Sequence, residues 1–297
     1  MATRHSSNTY TRIAADGMPS LSEVIRSHGL KAHKSLGQNF ILDFNLMTKI
    51  AFSCGKLSGK TIIEVGPGPG GLTRALLNGG AERVIAIERD DRFRLALEEI
   101  RTRWPSQFEF KIANALNMQW AKLLKDHKCT KEILIIANLP YNIATRLLIS
   151  WLNTEIWPPW YAGMSLMFQK EVAERIVAAP GSKAYGRLSI ISQWCCKTKV
   201  SLTLPPAAFT PPPKVASAIV TFFPRPARLP SCLLNDLEKI TNVAFSQRRK
   251  MIRTSLKQII SKPEQLLECA GIASNLRAEN IDVSAFARLA QAFRNKL

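Results

Sequence analysis

Glu132-Ile133-Leu134-Ile135-Ile136-Ala137-Asn138-Leu139-Pro140-Tyr141 is the stretch on which the reading of the fold turns. Its apolar run, Ile133 to Ala137, reads as a strand buried on both faces, the pattern of a parallel sheet. Asn138-Leu139-Pro140-Tyr141 then falls at the C-terminal edge of that strand, where open α/β sheets bind their ligands. The bland alternative is a strand-to-loop turn carrying a packed tyrosine, and the rest of the chain has to decide between the two.

Outward from this run, strand and helix signals alternate. Thr61–Val65, Val84–Glu88, Phe108–Ile112 and Gly163–Phe168 are further strand candidates, with helical patterns between them. That order predicts a doubly wound, Rossmann-like, mostly parallel α/β sheet. The run Val215–Phe223 follows a proline-rich loop (Pro205-Pro206, Pro211-Pro212-Pro213) too closely for another helical crossover, so the sheet should finish with an antiparallel strand. Pro224, Pro226 and Pro230 mark a boundary. Beyond it the periodicity is helical over Leu233–Ala244, Gln247–Ile260, Pro263–Cys269 and Val283–Phe293.

Ahead of the sheet, residues 1–19 read as a disordered tail. Ser20 caps a short helix, Leu21–His28, with Glu23 at the capping-box position. A basic segment holding Lys34, Gly37, Asn39 and Ile41 leads into a second helix from Phe44 to Ser53. The expected division is a short-helix extension over 1–30, an α/β domain over 31–224, and a small all-helical domain over 225–297.

Glu64-Val65-Gly66-Pro67-Gly68-Pro69-Gly70-Gly71 joins the first strand to the first crossover helix. Glycines allow a tight turn and close approach to a ligand. The spacing departs from the dinucleotide fingerprint, and Pro67 and Pro69 remove amide donors that a pyrophosphate needs. A less anionic nucleoside ligand fits better, with S-adenosylmethionine leading. Glu88 closes the second strand about 20 residues on, where a carboxylate holds ribose hydroxyls; otherwise it is a surface carboxylate at a strand end. Arg89 as a phosphate clamp would need the dinucleotide loop that is absent. Asn114, just past the third strand, is placed to read an adenine amine. Asn39 and Ile41 suit a lid over the cofactor, although a packed loop has the same local sequence.

With such a cofactor, the Asn138–Tyr141 turn acquires a chemistry. An Asn amide oxygen and a carbonyl freed by Pro140 can accept from an exocyclic amine, and Tyr141 can stack on the ring bearing it. This suits methyl transfer to an adenine N6.

Charge points to the same kind of substrate. The chain of 297 residues carries 41 Lys+Arg against 22 Asp+Glu, a formal charge of +19. A polyanion is the economical partner, nucleic acid ahead of a membrane. No acidic residue lies between Glu174 and Asp236, while Arg175, Lys183, Arg187, Lys197, Lys199, Lys214, Arg225 and Arg228 do. Arg248, Arg249, Lys250 and Arg253 are expected on one side of a helix with no acid from Phe245 to Lys262, which reads as RNA contact or as a solvated face. Lys34, Lys170 and Arg187 are further candidates for RNA. The six cysteines show neither a CxxC pair nor a His partner at ligand spacing, so no metal site and a reducing, cytoplasmic compartment are expected. No apolar run is long enough to span a membrane.

Taken together, the glycine loop, Glu88 and Asn138-Leu139-Pro140-Tyr141 resemble the small-subunit ribosomal RNA adenine dimethyltransferases. Leu36-Gly37-Gln38-Asn39-Phe40, Phe168-Gln169-Lys170-Glu171-Val172, Tyr185-Gly186-Arg187-Leu188-Ser189, Phe209-Thr210-Pro211-Pro212-Pro213-Lys214-Val215 and Gln247-Arg248-Arg249-Lys250 extend the resemblance from about residue 30 to the end. It implies S-adenosylmethionine as cofactor, held by Asn39, Ile41, Gly66, Glu88, Asn114 and Asn138. It implies that Asn138, Pro140 and Tyr141 present the target amine while Phe209 packs the other face of a flipped base. It further implies a monomer acting on two adjacent adenosines near the 3′ end of small-subunit RNA within the pre-ribosomal subunit. The family usually carries Asp where this chain has Asn114, a change on the scale of one hydrogen bond, about 1 kcal/mol. The rivals are a related methyltransferase of large-subunit RNA that confers antibiotic resistance, and a ribosome-assembly or mitochondrial transcription factor with the same fold.

Overall fold

A computed structural model of the protein describes residues 14–33 and 37–295. Nine strands are present among them: β1 Phe40–Ile41, β2 Thr61–Val65, β3 Arg83–Glu88, β4 Phe108–Ile112, β5 Ile133–Ala137, β6 Gly163–Gln169, β7 Cys196–Leu204, β8 Phe209–Thr210 and β9 Ser217–Pro224. The helices are α1 Leu21–Ser27, α2 Phe44–Ala51, α3 Gly71–Asn78, α4 Arg94–Arg103, α5 Trp120–Asp126, α6 Tyr141–Leu152, α7 Lys170–Val177, α8 Arg187–Cys195, α9 Leu234–Ser246, α10 Ile252–Leu256, α11 Pro263–Cys269 and α12 Val283–Arg294.

Seven strands form one sheet in the order β4-β3-β2-β5-β6-β9-β7, and β1 and β8 pair separately. Strand β3 is parallel to both β2 and β4, whereas β9 runs antiparallel to both β6 and β7. The doubly wound sheet with an antiparallel finish is therefore as expected. Every residue of β2 and β5 is buried, which is why β5 is apolar without alternation and β2 is so except at Thr61 and Glu64. Chain order reverses across β2 and β5, so their C-terminal ends define the switch point at which such sheets open a crevice.

Packing divides the chain into two compact units. The first takes in the described residues up to Glu132 together with Ile136–Pro140 and Pro206–Lys214. Its core is built from Ile62, Ile63, Leu76, Leu97, Phe108 and Ile136. Helix α1 has the expected capping box, with the Ser20 hydroxyl accepting from Glu23 N–H and the Glu23 carboxylate accepting from Ser20 N–H. The second unit comprises Ile133–Ile135, Tyr141–Pro205 and the chain from Val215. Trp151, Tyr161, Tyr185, Trp194 and Phe286 fill its interior.

Three expectations need correction. Residues 14–19 are not a loose tail: the Asp16 carboxylate is fully buried and takes two hydrogen bonds from Arg74 Nε and Nη2, at 2.5 and 2.7 Å. Despite its burial, this pairing holds the Asp16 carboxyl below its usual range. Gln247–Ile260 is not one helix. Residues 247–251 are turns, because Met251 bridges to Arg277 and the Ile252 N–H donates to the Leu276 carbonyl at 2.7 Å, leaving only α10 helical. Strand β7 was also unforeseen. Exposed residues alternate along it, Lys197 and Lys199 among them, and it lies at the edge of the sheet beside β9. The expected tail over 1–13 lies outside the described residues.

Candidate active site

The glycine loop leaves β2 with Gly66 in the left-handed region, φ +73°, and its N–H donates to the Ile87 carbonyl of β3 at 2.9 Å. On its other side Gly66 faces the chain that leaves β5. A Cβ added there would lie 3.8 Å from both the Asn138 carbonyl oxygen and Pro140 Cδ. The loop after β2 and the turn after β5 are thus within van der Waals reach of one another, with the hydrogen of a glycine between them. Asn138 and Pro140 are half-buried, whereas Leu139 is buried and anchors the turn.

Glu88, 6% exposed at the end of β3, ties the loop down. Its Oε2 accepts from Gly68 N–H at 3.0 Å and its Oε1 from Asp90 N–H at 2.8 Å. Burial pushes its carboxyl up from the ordinary value against these hydrogen bonds. A carboxylate has about four acceptor positions, so with the Asp90, Gly68 and Arg89 amides interacting with it the Glu88 carboxylate keeps acceptor capacity for a further donor. Asn114 caps a short 3-10 turn, Ala115–Asn117, with its Oδ1 accepting from Leu116 N–H at 3.1 Å. That oxygen likewise keeps a second lone pair.

Asn39 and Ile41 belong to a segment pinned by the β1–β8 pair, in which Phe40 opposes Thr210 and Ile41 opposes Phe209. In the orientation its surroundings demand, the Asn39 amide donates to the Pro211 carbonyl at 3.0 Å and the Gln38 carbonyl at 3.3 Å. Ile41 is fully buried, backbone and side chain alike. Phe209 is 3% exposed, and its ring is not open as a stacking face in this state. Tyr141, the first residue of α6, is half-buried, and its hydroxyl shares a hydrogen bond with Ser217 Oγ. Burial raises its pKa, which makes it a neutral ring rather than a base.

Two residues here carry weight that sequence reasoning did not give them. Glu64 is 1% exposed; its Oε2 accepts from Thr73 Oγ1 at 2.7 Å, while its Oε1 has no partner. Burial pushes it up to about 8, with Thr73 opposing and the Glu88 charge adding. Its only signal was a carboxylate inside an otherwise apolar strand. Asp90 accepts from Gln38 Nε2 at 2.9 Å, which brings the segment before β1 to the end of β3. Nothing local in either residue announces that link.

The residues present fit an adenosyl cofactor. The pocket has spare acceptors at Glu88 and Asn114, an orphaned buried oxygen at Glu64, and a glycine gap that any side chain would fill. Among the described residues placed here, Gly66, Glu88 and Asn114 provide no cationic clamp of the kind a pyrophosphate needs.

The candidate RNA residues are more scattered. Arg187 begins α8 on the wall of a cleft of about 960 Å³ in the second unit, together with Arg175, Lys183 and Arg248. Arg248 is ion-paired with Glu279 at 2.8 Å, so much of its charge is compensated locally. Arg249 and Lys250 are exposed on the turn after α9, Arg253 is half-buried on α10, and Lys170 is exposed at the start of α7. Lys34 lies outside the described residues. Among the described residues no cluster of His, Cys, Asp and Glu suits a metal, and no helix is long and apolar enough to cross a membrane.

A doubly wound sheet with a glycine turn after β2, an acid closing β3 and the Asn138-Leu139-Pro140-Tyr141 turn after β5 defines a Rossmann-like methyltransferase. Comparison with known proteins narrows the class. Residues 29–295 match the family model of ribosomal RNA adenine dimethylase. The chain is 54% identical to ribosomal RNA small subunit methyltransferase A of Xanthobacter autotrophicus, covering 94% of this chain and 96% of that protein. It is 52% identical to the protein of that name from Azorhizobium caulinodans, covering 94% of each. The fold matches a dimethyladenosine transferase from Plasmodium falciparum with TM-score 0.69 at 23% identity, over 85% of this chain and 96% of that one. It also matches the 23S rRNA methyltransferase ErmE with TM-score 0.64 at 22% identity, over 86% of this chain and all of that one. This chain belongs to the ribosomal RNA adenine dimethylase family.

Proposed function

We propose that this protein transfers methyl groups from S-adenosylmethionine to N6 of two adjacent adenosines near the 3′ end of small-subunit ribosomal RNA. The product is N6,N6-dimethyladenosine, and the step belongs to small-subunit biogenesis. The observation that carries this reading is the approach of Gly66 to the Asn138 carbonyl and Pro140, at 3.8 Å from a built Cβ. A cofactor cradled by the loop and a base held by the turn are then adjacent. Relatives above 50% identity are named for the small subunit, which favours that RNA over the large-subunit RNA of the more distant ErmE.

Bound S-adenosylmethionine supplies an electrophilic methyl group. The chain supplies position. Gly66, Glu88, Asn114, Asn39 and Ile41 hold the cofactor. The Asn138 amide oxygen and the carbonyl at Pro140 accept the two N6 hydrogens, which aligns the nitrogen lone pair and favours a more tetrahedral nitrogen. Tyr141 offers a neutral ring to the extruded base, and Phe209 would take the second face once its ring turns out of the β1–β8 pair. No side chain here is a strong base and none is required, because the proton leaves N6 to solvent.

The functional division runs as an extension over 1–30, a catalytic domain over 31–224 and a helical RNA-binding domain over 225–297. Lys170, Arg187, Arg249, Lys250 and Arg253, with Arg248 and Lys34, are the proposed phosphate contacts. The partner is the pre-ribosomal small subunit, approached by a monomer in the cytoplasm.

The test is mass spectrometry of small-subunit RNA after unmethylated subunits are incubated with the protein and labelled S-adenosylmethionine. Dimethyladenosine at two neighbouring 3′-terminal positions is expected. Cofactor binding without label on the RNA would turn the reading toward an assembly or transcription factor.

A further inference from the structure

We infer that Gln38 and Asp90 form a positioning latch that holds the Asn39–Ile41 segment against the ribose end of the cofactor pocket. The inference rests on the cofactor reading above and concerns two residues that have no place in it. Asp90 acts in two directions. Its backbone N–H donates to Glu88 Oε1 at 2.8 Å, and its Oδ2 accepts from Gln38 Nε2 at 2.9 Å. One residue therefore fixes both the carboxylate that faces the ribose and the chain that leads into the lid.

Gln38 is held from its other side. Its Oε1 accepts from His33 N–H at 2.9 Å and from Arg92 Nη2 at 3.3 Å. Arg92 in turn donates through Nε to Asp90 Oδ1 at 2.9 Å and through Nη1 to the Lys31 carbonyl at 3.1 Å. The segment on both sides of residues 34–36 is thus tied to the end of β3 by side chains rather than by a sheet. The Asp90 carboxylate is 8% exposed, so its bond to the Gln38 amide is a charge-assisted one in partly dry surroundings.

The latch is separate from what keeps the segment folded. Strand β1 is pinned by β8, and the Phe40 ring meets Phe93 edge-on at 5.8 Å and lies against Gly68. Loss of the Gln38–Asp90 bond should free the lid relative to Glu88 without releasing β1. Gln38 and Asp90 are positioning residues, acting through Asn39, Ile41 and Glu88.

Calorimetric binding of S-adenosylmethionine to the full chain tests this, with Gln38→Met, Asp90→Ser and the double variant. The serine keeps an oxygen to cap Arg92 N–H and keeps the backbone bond to Glu88, but is too short to reach Gln38. Each single variant is expected to weaken binding about tenfold, the scale of one charge-assisted hydrogen bond. Gln38→Met also loses the bonds from His33 N–H and Arg92, and Asp90→Ser the pairing with Arg92. The Gln38–Asp90 bond is common to both, so the double variant should lose less than the sum of the singles. The cofactor-free melting temperature should stay within about 2 °C, and kcat at saturating cofactor should hold while KM for the cofactor rises. Unchanged affinity in Gln38→Met, additive losses in the double variant, or losses that track a lowered cofactor-free melting temperature would each overturn the latch. A wild-type chain that binds no S-adenosylmethionine overturns the cofactor reading itself and takes the latch with it.

Discussion

The Glu88 carboxylate accepts the Gly68 N–H at 3.0 Å, so the acid at the end of β3 and the glycine loop after β2 are one structure. Removing the side chain should therefore damage more than a ribose contact. Glu88→Ala frees the loop and deletes the proposed diol acceptor together, and cofactor Kd should rise between about tenfold and a hundredfold, from one or two charge-assisted bonds. Glu88→Gln keeps an oxygen and should lose less. Isothermal titration with S-adenosylhomocysteine measures both.

Two glycines of the same loop separate activity from stability. A Cβ at Gly66 meets nothing closer than 3.8 Å, but enters the gap before Asn138 and Pro140. Gly66→Ala should fold, with strain of about 1–2 kcal/mol at its positive φ, and lose most of its methylation rate. A Cβ at Gly70 would lie 2.0 Å from Ile100 Cδ1. Gly70→Ala should lower the melting temperature further than Gly66→Ala does. Thermal melts alongside a methylation assay give the two orders.

Arg74 and Asp16 are 2% and 0% exposed and hydrogen-bonded through two separate nitrogen–oxygen contacts. Asp16→Ala leaves the buried guanidinium, among the described residues, with the Pro19 carbonyl at 2.8 Å as its remaining partner, and should cost about 3–5 kcal/mol. Replacing both with apolar residues, Asp16→Leu with Arg74→Met, should cost less than the single change. Urea unfolding of the three proteins settles the order.

Glu64 makes stability depend on pH with a definite sign. Its carboxyl is pushed up to about 8 by burial, against 4.5 when unfolded, so the folded chain binds the proton more tightly. Its contribution is complete below the unfolded value and is lost as pH rises through about 8. Wild-type protein should lose roughly 2–3 kcal/mol between pH 6 and 8.5 from this group. Glu64→Gln should flatten that decline. Denaturant titrations at the two pH values are the check.

What the sequence disclosed follows from which forces are local. Ile133–Ala137 was bounded correctly because burial leaves an apolar run that needs no knowledge of partners. Thr61–Val65 shows the same pattern but for Thr61 and Glu64, and Phe108–Ile112 was bounded correctly on an alternation of apolar and charged residues. The α1 capping box is likewise complete within four residues. Strand β7 was missed because at an edge its lysines face solvent and its ladder depends on β9. The β1–β8 pair joins two-residue strands about 170 positions apart, which no periodicity records. Asp16 looked like any carboxylate in a tail until Arg74, 58 residues on, was seen beside it. The basic run at 248–253 was misread as a helix because its backbone is set by the bridge between Met251 and Arg277. In the proposed site, the places of Asn138, Gly66 and Glu88 at strand ends were legible from the sequence, whereas the hydrogen bond between Gln38 and Asp90, 52 residues apart, left no local signal.

The measurement that tests the central claim most directly compares wild type with Asn138→Ala on unmethylated small subunits. Label incorporation into adenosine and affinity for the subunit are read in the same samples. The account predicts dimethyladenosine at two adjacent positions with wild type, loss of methylation by at least about a hundredfold in the variant, and nearly unchanged RNA affinity. Methylation that survives in Asn138→Ala, with its rate close to wild type, would contradict the assignment of the amine acceptor and with it the proposed mechanism.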